Sequence, residues 1–137
     1  MARKVFFSFE YGDVNRAMIV RNSWVLQDST GFIDKAEFES IERGGDPAIR
    51  SWINRQLLGT SVTTVLVGKN TCTSKWVRYE IEQSIAKGNA LIGIDISSIK
   101  DFNTGTTTCC GRIPAGYPFY RWSNDGYSNL ASWIDGA

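Results

Sequence analysis

The chain has 137 residues, with 15 basic and 14 acidic side chains and a formal net charge of +1. That length fits one domain around one core, and the 42% apolar content is enough to build it. No block of like charge stands out, which argues against nucleic acid or an anionic membrane as the main partner, because phosphate-backbone binding needs a concentrated basic face.

Histidine is absent. This removes imidazole zinc sites and every Ser-His or Cys-His nucleophile, so acid–base chemistry falls to carboxylates, lysine or tyrosine. The cysteines Cys72, Cys109 and Cys110 are odd in number with an adjacent pair, a poor disulfide framework, and they lack the CxxC spacing of a zinc site. Apolar runs such as Val62 to Val67 and Ala90 to Ile94 are too short to span a bilayer. The opening residues enter a strand-like run without the features of a signal peptide, so the expectation is a soluble, cytoplasmic protein with no membrane partner.

Lys4 to Phe9 is β-branched and aromatic and predicts a buried first strand. Glu10-Tyr11-Gly12-Asp13 breaks it, and Asp13 is the expected N-cap of a helix running to about Arg21. Gly31 to Asp34 predicts a short second strand. Asp46-Pro47 is a strong helix start, followed by Ile49, Trp52, Ile53 and Leu57 at helical spacing and closed by Gly59. Ser61 to Val67 is the clearest strand. Thr73 or Ser74 caps the next helix, which runs to Lys87 with Gly88 after it. Leu91 to Ile96 is a further strand. Lys100 to Gly116, rich in Gly, Thr and Cys, reads as an irregular surface loop. Tyr117 to Tyr120 predicts a last short strand and Asn129 to Ile134 a terminal helix.

Strands alternating with helices in this way predict an α/β fold: a short central parallel sheet with helices on both faces, three layers in all. Ligands in such folds sit beyond the carboxyl ends of the strands. That directs attention to Ser8 to Asp13, Asp34 to Phe38, Gly68 to Trp76 and Asp95 to Lys100.

Two stretches at those edges, with two further elements between them, carry a family resemblance. The first is Phe6-Phe7-Ser8-Phe9 with the polar break after it. The second is Ser74, Trp76 and Glu80, which open the helix after the Ser61–Val67 strand. Between them lie the hydrophobic strand Thr63 to Val67 and a Phe-x-Asp element, Phe32-Ile33-Asp34. In order and spacing these resemble the TIR-like family, whose fold is flavodoxin-like. The closest likeness is to the bacterial and archaeal branch that includes the signal-producing subunit of the Thoeris anti-phage system. The resemblance covers roughly residues 3 to 100 of what reads as a single domain, 1–137. Residues 101–137 add a loop, a strand and a helix with no counterpart in the family pattern. The proline-bearing loop of receptor TIR domains is also missing between Gly31 and Asp46, which argues against receptor-style partner binding.

The resemblance implies cleavage of the nicotinamide–ribose bond of NAD, with NAD as substrate and no separate cofactor or metal, giving ADP-ribose or a cyclic isomer. It assigns the catalytic role to Glu80 and implies that activity depends on self-association or a trigger. The chemistry is coherent: nicotinamide leaves from a cationic pyridinium and needs no general acid, while the developing oxocarbenium ion needs a nearby carboxylate.

Read from periodicity, Glu80 and Glu82 flank an apolar stripe of Val77, Ile81 and Ile85, which does not choose between them. Arg78, one turn before Glu82, offers it a surface ion pair, whereas Glu80 has Trp76 one turn before it. The plainer reading of Glu80 is a solvated helix-surface glutamate. Phe7, Ser8 and Phe9 are candidate substrate-binding residues at the pocket floor; their plainer reading is a buried first strand, which is held for Phe6. Trp76 is a candidate to stack on a ring of the nucleotide, or else a core-edge anchor. Asp34 is a candidate for a ribose hydroxyl, or else a turn carboxylate.

Other folds of this class fit less well. A receiver domain needs an aspartate where the third strand ends in Leu66-Val67-Gly68-Lys69, and a flavodoxin needs a Ser/Thr-rich phosphate loop where Glu10-Tyr11-Gly12-Asp13 stands. A nucleoside deoxyribosyltransferase is a nearer rival, since it too breaks an N-glycosidic bond with a glutamate. The alternative from another class is a non-catalytic TIR-like module that signals by self-association or binds a nucleotide without cleaving it.

Overall fold

The computed structural model describes residues 4–24, 29–30, 40–114 and 116–137. Five strands form one all-parallel sheet: β1 (Val5–Phe9), β2 (Ser29–Thr30), β3 (Val62–Val67), β4 (Ala90–Asp95) and β5 (Phe119–Arg121). Their order across the sheet is β2-β1-β3-β4-β5. The register runs from Val5 opposite Val62 to Phe9 opposite Leu66, and from Val62 opposite Ala90 to Val67 opposite Asp95. The chain leaves β1 toward one edge and returns to its other side at β3. The crevice between the carboxyl ends of β1 and β3 is therefore the switch point where doubly wound sheets hold ligands.

The helices that flank the sheet among the described residues are α1 (Val14–Ser23), α2 (Gly45–Leu57), α3 (Lys75–Lys87) and α4 (Gly126–Asp135). Strand alternation sorts them into two layers. Val5 and Phe7 of β1, Val62 and Leu66 of β3, and Ile92 and Ile94 of β4 pack with Ala17 and Val20 of α1 and Leu130 and Ile134 of α4. Phe6 points the other way, onto Ile49, Trp52, Ile53 and Leu57 of α2. Val65, Val67 and Leu91 meet Val77 and Ile81 of α3 on that same face. The α/β, flavodoxin-like architecture expected from the sequence is the one found.

Local chemistry explains where α3 begins and ends. Ser74 is its N-cap, with the hydroxyl accepting from the Val77 N–H at 3.3 Å. Gly88 closes it at φ 92°, a left-handed conformation that side chains disfavour. α2 starts at Gly45, a residue ahead of the expected Asp46-Pro47, with Gly44 as its cap. Asp13 stands at the N-cap position of α1 but makes no capping hydrogen bond. It turns inward instead, accepting from Arg16 Nη1 at 2.7 Å. The expected strand at Gly31–Asp34 lies outside the described residues.

The expectation for the cysteines is overturned. Cys72 and Cys110 form a disulfide with a Cα–Cα distance of 5.9 Å, leaving Cys109 free. Cysteine count and spacing are silent on this because the loop after β4 folds back across the end of β3. There the Cys110 N–H donates to the Gly68 carbonyl at 3.2 Å and the Cys72 N–H lies 3.1 Å from Cys110 Sγ. The bond closes a 38-residue separation, for which loop-closure entropy gives a stabilisation of about 4 kcal/mol at most. Reduction, or Cys110→Ser, is expected to lower unfolding stability by about 2–4 kcal/mol in urea titration. An unchanged midpoint would show that the bond constrains nothing.

Candidate active site

α3 lies over β1 and β3, and its buried residues are Val77, Glu80, Ile81 and Ser84. These positions follow the i, i+3, i+4, i+7 pattern of one helix face. Glu80 is therefore on the buried stripe rather than beside it, while Ile85, expected within the stripe, is 45% exposed. Glu82 is exposed, and no ion pair joins it to Arg78 among the described residues. The signal missed in the sequence is Ser84. A small hydroxyl residue turns inward by donating to the Glu80 carbonyl at 2.6 Å and accepting from Thr63 Oγ1 at 2.7 Å. Small polar residues packed against a strand hydroxyl extend a buried face that apolar periodicity alone misplaces.

Glu80 is 8% exposed. The Ser8 hydroxyl, itself fully buried on β1, donates to Glu80 Oε1 at 2.7 Å. Burial pushes the Glu80 carboxyl up to about 8, with the Ser8 hydrogen bond acting in the opposite direction. Burial in this position therefore favours the neutral acid over the carboxylate.

Glu80 lines a cavity of about 340 Å³ at the switch point. Phe9, Glu10, Tyr11 and Gly12 contribute from the end of β1, Ile49, Trp52 and Ile53 from α2, and Ser74 and Trp76 from the start of α3; Ile41 and Glu42 complete the lining. Trp76 makes an edge-on contact with Tyr79 at 5.9 Å, and the Lys75 ammonium sits 4.9 Å from the Trp76 ring centroid. Lys75 also pairs with Asp46, which ties the start of α3 to the start of α2.

The structure thus brings Ser8, Phe9, Trp76 and Glu80 together. Phe7 borders the cavity, but its side chain belongs to the core on the opposite face, with α1 and α4. Asp34 lies outside the described residues. Sequence reasoning did not single out Glu10, Glu42 or Trp52 for the site: Glu10 reads as a turn residue and Trp52 as helix core. Glu10 Oε2 accepts from the Gly12 N–H at 2.8 Å, and its carboxyl is raised by burial, opposed by that backbone bond. Among the described residues no group of three or more His, Cys, Asp or Glu could hold a metal ion. No described helix is long and apolar enough to cross a membrane.

The sheet order β2-β1-β3-β4-β5 is the flavodoxin-like one, shared by domains of many functions, and here it carries a buried glutamate on α3 bonded to the serine of the first strand. The family model of the Thoeris protein ThsB, TIR-like domain, matches residues 6–101, and the chain belongs to that family. It is 43% identical over 142 aligned residues to a protein of Bacillus cereus (strain MSX-D12) that carries the provisional name cyclic ADP-D-ribose synthase ThsB1. The match covers 99% of this chain and 73% of that relative.

Proposed function

We propose that this domain cleaves the nicotinamide–ribose bond of NAD, with Glu80 as the catalytic carboxylate, and makes a cyclic ADP-ribose-type signal in anti-phage defence. The observation that carries the reading is a carboxyl bonded to Ser8 and held in an aromatic-walled cavity at the strand switch point. Its membership of the Thoeris family and the name of its Bacillus relative support the same chemistry.

The reaction divides among the residues as follows. The pyridinium of NAD brings a positive charge into the cavity and favours the Glu80 carboxylate over the acid. The C1′–N bond breaks, and its electron pair leaves with neutral nicotinamide. The oxocarbenium ion left behind is stabilised by the Glu80 carboxylate, which acts more strongly in a desolvated site than in water. Ser8 holds that carboxylate in place, Trp76 offers a ring face for stacking, and Phe9 borders the site. Self-association is part of this proposal, with turnover per molecule rising with protein concentration.

The test is to incubate the protein and its Glu80→Gln variant with NAD and to resolve the products by mass. Nicotinamide release by the wild type alone supports the enzyme, and the mass of the second product separates hydrolysis from cyclisation. One observation favours a second reading, a module that binds nucleotide without turnover: an acid raised to about 8 also suits a neutral hydrogen-bonding role. NAD binding that is equal in wild type and variant, with no release at any protein concentration, would support that module.

A further inference from the structure

The cavity holds a second partly buried carboxylate, that of Glu10, whose Oε2 accepts from a backbone N–H. Glu10 lies two residues beyond Ser8 with extended backbone angles, φ −74° and ψ 136°. It therefore continues the alternation of β1 and has the same parity as Phe6 and Ser8, on the face of the sheet where Glu80 lies. Two residues of strand place it about 6–7 Å past Ser8 toward the crevice. Its side chain lines the same cavity as Glu80.

Gly12 is what lets the Glu10 side chain settle there. Its N–H holds Oε2 at 2.8 Å, and a Cβ at position 12 would come within 2.6 Å of that oxygen. Glu10 is half-buried, whereas Glu42, the remaining carboxylate of the lining, is exposed. Desolvation raises the Glu10 carboxyl, with nearby Asp13 adding to that rise. The cavity therefore has a deep acid engaged by Ser8 and a shallower one held by a backbone N–H. Two carboxyls in unlike surroundings are the usual basis for dividing roles between them.

Resting on the NAD-cleaving reading, the geometry points to Glu10 as the general base that takes the proton of the hydroxyl which captures the ribosyl cation. Glu80 stabilises the cation as nicotinamide departs. An oxygen then attacks C1′, either of water or of the substrate's own second ribose. The C–O bond forms, the O–H bond breaks, and the proton passes to the Glu10 carboxylate and on to solvent. Glu10 thus acts after nicotinamide has left, on the fate of the ADP-ribosyl group.

A nucleophile without a proton to lose separates the two carboxylates. The nitrogen of 3-acetylpyridine attacks C1′ and gives a pyridinium product with no deprotonation. In Glu10→Gln, capture by hydroxyl is expected to fall by about 10²–10⁴-fold, while exchange with 3-acetylpyridine stays near the wild-type rate. In Glu80→Gln both fall. Gly12→Ala, which displaces the Glu10 carboxylate while retaining it, is expected to shift the ratio of exchange to hydroxyl capture in the same direction as Glu10→Gln. Thermal melts of each variant establish that the fold is intact. Equal loss of both reactions in folded Glu10→Gln, or undiminished hydroxyl capture, overturns the role of Glu10 and leaves Glu80 standing. A wild type that performs neither reaction overturns the NAD-cleaving reading, and the role of Glu10 with it.

Discussion

Glu80→Gln is expected to lose nicotinamide release by about 10²–10³-fold, the usual loss when one group that stabilises transition-state charge is removed, and to melt higher than the wild type at alkaline pH. The second effect follows from the first group's surroundings. The carboxyl is near 4.5 in the unfolded chain and about 8 in the native one. Folded protein therefore holds this proton more tightly than unfolded protein. Stability is fully present below pH 4.5 and is lost as pH rises through 8. By linkage the loss is at most on the order of 5 kcal/mol, reached near the upper end.

Glutamine keeps the acceptor for Ser8 and carries no charge. The variant is expected to melt several degrees above the wild type at pH 8, with the gap closing toward pH 5. The kcat/KM of the wild type is expected to rise with pH, reach half its maximum near 8 and level off above it, because the carboxylate is the working form. Calorimetry at the two pH values and a pH–rate profile check both statements. A flat profile between pH 6 and 9, with a melting gap independent of pH, removes Glu80 as the titrating group.

Arg16→Met is expected to destabilise the protein by about 3–5 kcal/mol, the range for breaking a buried ion pair from one side. Arg16 is 3% exposed, and its guanidinium makes four hydrogen bonds. Nη1 donates to Asp13 at 2.7 Å, Nε to the Ile99 carbonyl at 2.9 Å, and Nη2 to the Gly105 carbonyl at 2.7 Å and Thr104 Oγ1 at 3.2 Å. Removing it breaks three ties between the start of α1 and the loop after β4, leaving the Asn15 Nδ2 bond to Asp101 Oδ2 at 3.0 Å, and leaves Asp13, 4% exposed, buried beside Gly68 without its cation.

Arg16→Lys is expected to recover little, because one ammonium cannot reproduce a planar fork with four acceptors. The double variant Asp13→Asn/Arg16→Met is expected to be more stable than Arg16→Met, since no unpaired charge remains. Chemical denaturation across the set is the check, and additive losses would show that the pair is not coupled.

Much of the framework was legible because it is written in local chemistry. Ser74 caps a helix and Gly88 ends it by rules that need no tertiary partner, and the β-branched run at Val62 to Val67 is buried on both sides. The Thoeris-type resemblance rested on residues of this kind, and the family match covers them. What stayed hidden depends on contacts distant in sequence. The inward turn of Glu80 is set by Ser8 and by the Thr63–Ser84 bond. The Asp13 side chain leaves its capping role because Arg16 lies beneath it. The disulfide joins cysteines 38 residues apart that only the fold of the loop brings together. Glu10 looked like punctuation because its placement on the Glu80 face depends on the strand continuing one residue past its hydrogen-bonded end.

The interior position of β1, between β2 and β3, also sets an order of events during synthesis. This strand is made before the elements it joins, yet Val5 pairs with Val62, and Ser8 meets a glutamate 72 residues further on. Such distant pairings form late, after the chain entropy of closing them has been overcome. The cavity is assembled from the end of β1, from α2 and from the first turns of α3. A nascent chain that has not yet released α3 has no carboxylate against Ser8, so the proposed activity stays silent on incomplete polypeptides and starts only once the sheet has closed around its oldest strand.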